Sequence, residues 1–166
     1  LETEVLLSRV PDYHPRDLDE LCAAGEVIWL GLSPLGDRDG RVALYLADDF
    51  MSLAPSSSCL EGEIHERLRA YLRNHGASFY QDIERELGDG PDHPLLPALW
   101  DLVWAGEVVN DGLAALRACL LGASRGPVRH NRRMRAYRSR RLAPPSSVGR
   151  WSLRPNGQAD VTASDT

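Results

Sequence analysis

Leu18-Asp-Glu-Leu21-Cys-Ala-Ala24-Gly25-Glu26-Val27 returns as Leu99-Trp-Asp-Leu102-Val-Trp-Ala105-Gly106-Glu107-Val108, at a constant offset of 81 and with six of ten positions identical. Each copy carries leucines three apart, the spacing of one face of a helix. Ala-Gly follows, and glycine is the residue that ends a helix in the left-handed conformation. A β-branched residue comes next, so a strand is expected to start at once. Two unrelated helix-to-strand joints would look much the same, because Ala-Gly-Glu is common. The conserved spacing of both leucines favours a true repeat.

Helix, glycine stop and strand form the second half of a winged-helix unit, in which the last helix of a helix-turn-helix runs into a β-wing. The fold expected is α+β: tandem winged-helix units, the first incomplete, joined by a short linker and followed by an Arg-rich disordered tail. Residues 1–55 make the partial unit with its β-hairpin wing. Residues 56–121 make the second unit, with three helices, a short strand and a terminal helix. Residues 122–166 read as an Arg/Pro/Ser-rich linker or tail.

In the first unit a helix is expected from about Pro15 to Ala24, with proline at its first position. The hairpin strands are Glu26–Leu32 and Arg41–Leu46, and Asp48-Asp49 ends the second strand. Residues 1–10 fit a short strand or a helix end, and no complete first helix fits before Pro11. In the second unit Ile64, Leu68, Tyr71 and Leu72 mark a helix from Glu63 to about His75. Ser78-Phe-Tyr-Gln81 has the capping-box pattern, so the next helix is expected to start there, with Phe79, Ile83 and Leu87 as its stripe. A third helix begins near Pro94 or Leu95, and Glu107–Asn110 is a short strand. Leu113, Leu116, Leu120 and Leu121 mark a last short helix. Trp151-Ser-Leu153 reads as the opening of a further folded unit outside this chain.

The chain has 166 residues and a net charge of −5. No apolar run approaches the ~18 residues of a membrane span, and no signal-peptide pattern is present. All 19 basic residues are arginine. Cys22, Cys59 and Cys119 are scattered and odd in number, which suits a reducing cytoplasm and argues against a disulfide framework or a zinc site. The charge is uneven. Residues 1–124 hold 22 acids and 9 arginines, whereas residues 125–154 hold 10 arginines and no acid.

That basic run is the strongest chemical signal. Arg125, Arg129, Arg132, Arg133, Arg135, Arg138, Arg140 and Arg141 are interleaved with His130 and Tyr137. Guanidinium groups pair bidentately with phosphates and release counterions, which drives sequence-independent binding. Arg38 and Arg41 in the wing loop are weaker candidates beside Asp37 and Asp39. A soluble linker that touches nothing is the plain alternative. Catalytic patterns fail on context. Gly122-Ala-Ser124-Arg-Gly126 has nucleophile-elbow spacing, but a helical pattern precedes it and the arginine run follows. Gly31-Leu-Ser-Pro-Leu-Gly36 has phosphate-loop glycine spacing with Asp37 where lysine is needed. Asp37-Arg-Asp39-Gly40 misses the glycine and a ligand of a calcium loop. The five histidines show no metal-ligand spacing.

Several strings resemble the C-terminal region of bacterial large helicase-related (Lhr) proteins, in the family's order. They are Asp19–Trp29, Gly40–Tyr45 with Asp48-Asp49, Gly76–Phe79, Ala98–Val108 and Gly149–Leu153. The resemblance implies a long superfamily 2 helicase whose two motor domains use ATP and a divalent metal to move on single-stranded DNA. It also implies tandem winged-helix domains similar to AlkZ-type DNA glycosylases, a role in DNA repair and, in some members, uracil-DNA glycosylase activity. No motor motif is present here, so the chain is expected to hold no cofactor of its own, and no glycosylase aspartate can be placed. The expected role is a non-catalytic, cytoplasmic segment that helps hold or organise DNA, single-stranded or duplex and without sequence specificity, beside the remaining domains of the parent helicase. The rivals are a protein-docking module and part of a glycosylase site completed by residues outside the chain.

Overall fold

The computed structural model describes residues 2–36, 39–88, 94–124 and 144–155. The chain opens with a helical turn over Glu2–Leu6 that runs into α1 (Leu7–Arg9), settling the open reading of residues 1–10 as helical. α2 (Pro15–Ala23) follows, with proline at its start and the Asp17 carboxylate accepting the His14 backbone N–H at 3.0 Å. β1 (Val27–Pro34) and β2 (Gly40–Leu46) form an antiparallel hairpin in the register Val27↔Leu46 to Pro34↔Gly40, with an irregularity between Gly31 and Ser33.

α3 (Ala47–Leu53) was not expected. Asp48 and Asp49 do not merely end a strand. They lie in the first turn of this helix, where carboxylates meet the positive end of the helix dipole. Its buried Phe50 packs with Leu30 and Val109.

α4 (Glu63–His75) buries Leu68, Tyr71 and Leu72 as its spacing predicts. The capping box at Ser78 does not form. Ser78 and Phe79 are strand β3, the Ser78 hydroxyl donates to the Gly76 carbonyl at 3.0 Å, and α5 (Tyr80–Leu87) starts two residues later. Its buried face is Tyr80 and Ile83, while Phe79 points to solvent. Then come α6 (Leu95–Trp104), β4 (Val108–Asn110) and α7 (Ala114–Ser124).

Residues 122–166 are not all linker or tail. α7 runs through Ser124, a 3-10 turn spans Pro145–Ser147, and Arg150–Leu153 is β5. β5 is the middle strand of a three-stranded antiparallel sheet in the order β3-β5-β4. Trp151-Ser-Leu153 therefore belongs to this fold. Ser152 faces Val109, and Trp151 pairs with both Ser78 and Asn110.

The two repeated joints have matching hydrogen bonds. Ala24, Gly25 and Glu26 donate to the carbonyls of Glu20, Cys22 and Leu21 at 2.9, 3.1 and 3.0 Å. Ala105, Gly106 and Glu107 donate to Asp101, Val103 and Leu102 at 2.9, 3.0 and 2.9 Å. Gly25 and Gly106 have φ of +76° and +72°, the left-handed stop that L side chains resist. Beyond each joint a returning strand closes the hairpin at the same place. The Glu26 carbonyl accepts from Ala47 N–H at 2.9 Å, and the Glu107 carbonyl accepts from Arg154 N–H at 2.8 Å.

The hairpin β1–β2 packs across the α6–β4 joint, so one core joins both halves. Gly31 makes this approach possible: a Cβ there would lie 2.3 Å from the Val103 carbonyl oxygen. Gly31→Ala must push strand from helix and is expected to cost about 1–3 kcal/mol, the range for overpacking. Gly25 has open space around it, so Gly25→Ala is charged only the left-handed backbone, about 1 kcal/mol. Urea midpoints in the order wild type, Gly25→Ala, Gly31→Ala would check this.

Candidate nucleic-acid interface

The last helix before the wing is the one that enters a DNA groove in many winged-helix proteins. Here that helix is α6, and it is the centre of the core. Leu95, Ala98, Leu99, Trp100, Leu102, Val103 and Trp104 are all buried, and its exposed charge is Asp101. Such a surface suits packing and repels phosphate. α2 offers Arg16, but an ion pair with Glu20 at 2.8 Å neutralises it, and Asp17 stands beside it.

β4 and β5 are joined differently from β1 and β2. Residues 111–149 connect β4 to β5, and both ends of that connection are tied down. The Asp111 carboxylate accepts the Arg150 backbone N–H and its Nε, both at 2.8 Å. Asn110 Nδ2 donates to the Val148 carbonyl at 3.0 Å. Trp100 and Trp151 donate their indole N–H groups to the carbonyls of Ser146 and Ser147, each at 3.1 Å. Gly149, at φ +82°, passes so close to Asn110 and Asp111 that a Cβ would clash with both side chains.

α7 is held by Arg117. Its Nε and Nη2 reach the Glu2 carboxylate at 2.7 and 2.8 Å, and its Nη1 reaches Asp19 at 2.6 Å. The hydrogen bond to Glu2 raises the pKa of Arg117, and the same bond holds the Glu2 carboxyl below its ordinary value. Sequence reading missed Arg117, Asp111 and Arg150, because their partners are distant in the chain.

A more deeply buried ion pair joins α4 to the residue before β4. Arg69 reaches Glu107 with Nε at 2.5 Å and Nη2 at 2.7 Å, and also contacts Glu66 and the Leu60 carbonyl. Nearby, a cleft of about 800 Å³ is walled by Trp100, Trp104, Pro97 and Leu96, with His65 and Ser146 at its polar side. His65 Nε2 lies 3.3 Å from Asp101 Oδ2.

Of the arginines expected to meet DNA, Arg41 is placed, exposed on β2 opposite Ser33. Arg38, Arg125, Arg129, Arg132, Arg133, Arg135, Arg138, Arg140 and Arg141 lie outside the described residues. The Gly31–Gly36 stretch runs along β1 into the hairpin and forms no strand-to-helix loop. Gly31 is spent on helix backbone contact, and Gly36 starts the hairpin turn. Ser124 ends a helix, the opposite of the strand that a nucleophile elbow follows. Among the described residues, no helix is long and apolar enough to cross a membrane.

Helices feeding a β-wing, with small sheets beside them, define a winged-helix protein. Residues 1–47 match the family model "Large helicase-related protein, winged-helix domain". The chain is 36% identical over 174 residues to "Lhr helicase/ probable uracil glycosylase" of Mycolicibacterium smegmatis, covering 98% of this chain and 12% of that protein. It is 36% identical over 171 residues to "Lhr helicase/uracil glycosylase" of Escherichia coli K12, covering 92% of this chain and 11% of that protein. The chain belongs to the Lhr family and spans about an eighth or less of the relatives it matches.

Proposed function

We propose that this chain is a non-catalytic segment of an Lhr-type ATP-dependent helicase, made of two winged-helix units in tandem, and that it holds DNA without reading sequence. It would act in the cytoplasm, in DNA repair, beside the motor domains that bind ATP and a divalent metal. The DNA-contacting groups are Arg125, Arg129, Arg132, Arg133, Arg135, Arg138, Arg140 and Arg141, assisted by Arg38 and Arg41. The observation that carries this reading is the tied connection between β4 and β5. A wing is a place where winged-helix proteins meet the DNA backbone. In sequence the run of arginines falls among the residues that join β4 to β5, whose described ends are hydrogen-bonded together, while α6 is buried.

The test is fluorescence anisotropy with a random-sequence oligonucleotide, single-stranded and duplex, between 50 and 200 mM salt. Each neutralised phosphate contributes about 0.7–0.9 to the slope of log K against log salt. Changing the eight arginines of the run to glutamine is expected to flatten the slope by about 3–6 and to weaken binding at least about 100-fold at low salt. An unchanged slope would remove the arginines from the interface. No DNA binding by the parent chain, with capture of a purified helicase domain instead, would favour the docking module.

A second reading is favoured by the relatives' names, both of which carry uracil glycosylase. This chain would then supply one wall of a base-excision site completed elsewhere in the parent. Release of uracil from DNA by a longer parent polypeptide, and its loss on deleting this segment, would support it.

A further inference from the structure

α6 has a second face besides the one sunk deepest in the core. Leu96, Pro97, Trp100, Asp101 and Trp104 follow one another at helical spacing and line the cleft of about 800 Å³. That volume is in the range of pockets that take a ligand of many atoms, more than a single side chain. α7 lines the same cleft with Ala118, and the first hairpin lines it with Pro34 and Gly36.

The two indoles are fixed before any guest arrives. Trp100 and Trp104 lie with ring centroids 5.3 Å apart and planes tilted by 34°. Trp100 is held by the edge-on contact with Trp151 and by its N–H bond to the Ser146 carbonyl. Trp104 is held against the hairpin, where a Cβ on Gly40 would lie 2.5 Å from its ring atoms Cε3 and Cζ3. A guest therefore has few side chains to order on binding, which favours affinity.

Electrostatics choose the guest. The carboxylate beside these rings is that of Asp101, whose side chain is 57% exposed. Its partner among the described residues is His65 Nε2, at 3.3 Å. The carboxylates of Asp19 and Asp111, by contrast, hold arginines at 2.6 and 2.8 Å. His65 Nδ1 is buried and has no hydrogen-bond partner, so His65 gives its polar contact to Asp101. Among the described residues that line the cleft, none is arginine. A nucleobase would suit the rings but would bring its phosphate towards this carboxylate. A guanidinium suits both: its planar fork pairs with a carboxylate, and its flat face packs on an indole.

From these observations we infer that the cleft is a binding site for an arginine side chain carried on a segment of a partner polypeptide. The guanidinium meets Asp101 and the rings of Trp100 and Trp104, and the residues beside it rest on Leu96 and Pro97. The inference is independent of the arginine run and of whether that run binds DNA.

The test is an NMR titration of the 166-residue chain, read at the indole N–H signals of its four tryptophans. The probes are the capped peptide acetyl-Ala-Arg-Ala-amide, its citrulline counterpart and a short oligothymidylate. The arginine peptide is expected to move the signals of Trp100 and Trp104 more than those of the fully buried Trp29 and Trp151. Citrulline keeps the shape and loses the charge, so its peptide is expected to bind at least about tenfold more weakly. Asp101→Asn is expected to weaken the arginine peptide at least about threefold. Asp48→Asn, an exposed acid that does not line the cleft, is expected to leave it unchanged. Ala118→Trp, which fills the cleft from α7, is expected to abolish the shifts, with urea midpoints showing that each variant is folded. Equal binding of the two peptides, or unchanged binding by Asp101→Asn, would overturn the inference. So would the absence of shifts at millimolar peptide, or shifts of these two indoles by oligothymidylate in place of the peptide.

Discussion

Arg69→Ala is expected to destabilise the chain by about 3–5 kcal/mol, the cost of leaving one member of a buried ion pair without its partner. Arg69 is 6% exposed and satisfies Glu107 with two donors, so its removal strands the carboxylate of the residue before β4. It also frees the Leu60 carbonyl and Glu66, which loosens the lead into α4. The repeat provides the control. Glu26 holds the same place in the first joint, yet its side chain is exposed, so Glu26→Ala is expected to stay within about 0.5 kcal/mol of wild type. Urea midpoints at constant slope would measure both. Replacing Arg69 and Glu107 together by methionine should recover most of the loss, because apolar groups of similar size remove the need for pairing.

The pH dependence has a definite sign. Burial pushes the Glu107 carboxyl up, but the Arg69 hydrogen bonds, the Leu60 N–H and the Arg69 charge outweigh it and hold the carboxyl below its ordinary value. A folded pKa below the unfolded one contributes stability that is present above the ordinary carboxylate range and is lost as pH falls through the folded value. In Arg69→Ala the burial remains and the partner is gone, so the deficit relative to wild type should shrink as the pH is lowered through that range. A deficit that stays constant with pH would exclude the ion pair as its source.

What could be read from the sequence was what is local. The glycine joints were legible because left-handed stops, leucine spacing and β-branched starts lie within ten residues of one another. α4, α6 and the β1–β2 hairpin were legible for the same reason. Ser78 misled because S-x-x-Q is satisfied by residue type alone. Whether its hydroxyl caps a helix or turns back to Gly76 depends on β5, whose Trp151 pairs with it from far along the chain. α3 was hidden because two aspartates after a strand look like an ending and also make a good first helical turn. The proposed interface divides in the same way. The run Arg125–Arg141 is visible as charge. The ties that fix its flanks, Asp111 to Arg150 and Trp100 to Ser146, join residues 39 and 46 apart and leave no local mark.

Trp151→Ala is expected to cost about 3–5 kcal/mol, as for other fully buried aromatic residues cut to alanine. Read as the opening of another unit, Trp151 would be a linker residue and its loss would fall within about 0.5 kcal/mol. The structure gives it three separate jobs. Its backbone is part of the middle strand between β3 and β4. Its ring meets Trp100 edge-on with centroids 5.6 Å apart, in a core whose other tryptophan neighbours are Trp29 and Trp104. Its N–H donates to Ser147. Trp151→Phe separates these roles. It keeps the strand and most of the apolar ring, and loses the donor and some volume, so about 1–2 kcal/mol is expected. An order of Phe between wild type and Ala would place the main weight on the buried ring. Because Ser147 lies on the flank of the arginine-bearing connection, DNA affinity of folded Trp151→Phe would show whether anchoring that flank matters. An unchanged salt slope with weaker binding would mean that the same arginines still reach phosphate, from a connection held less firmly.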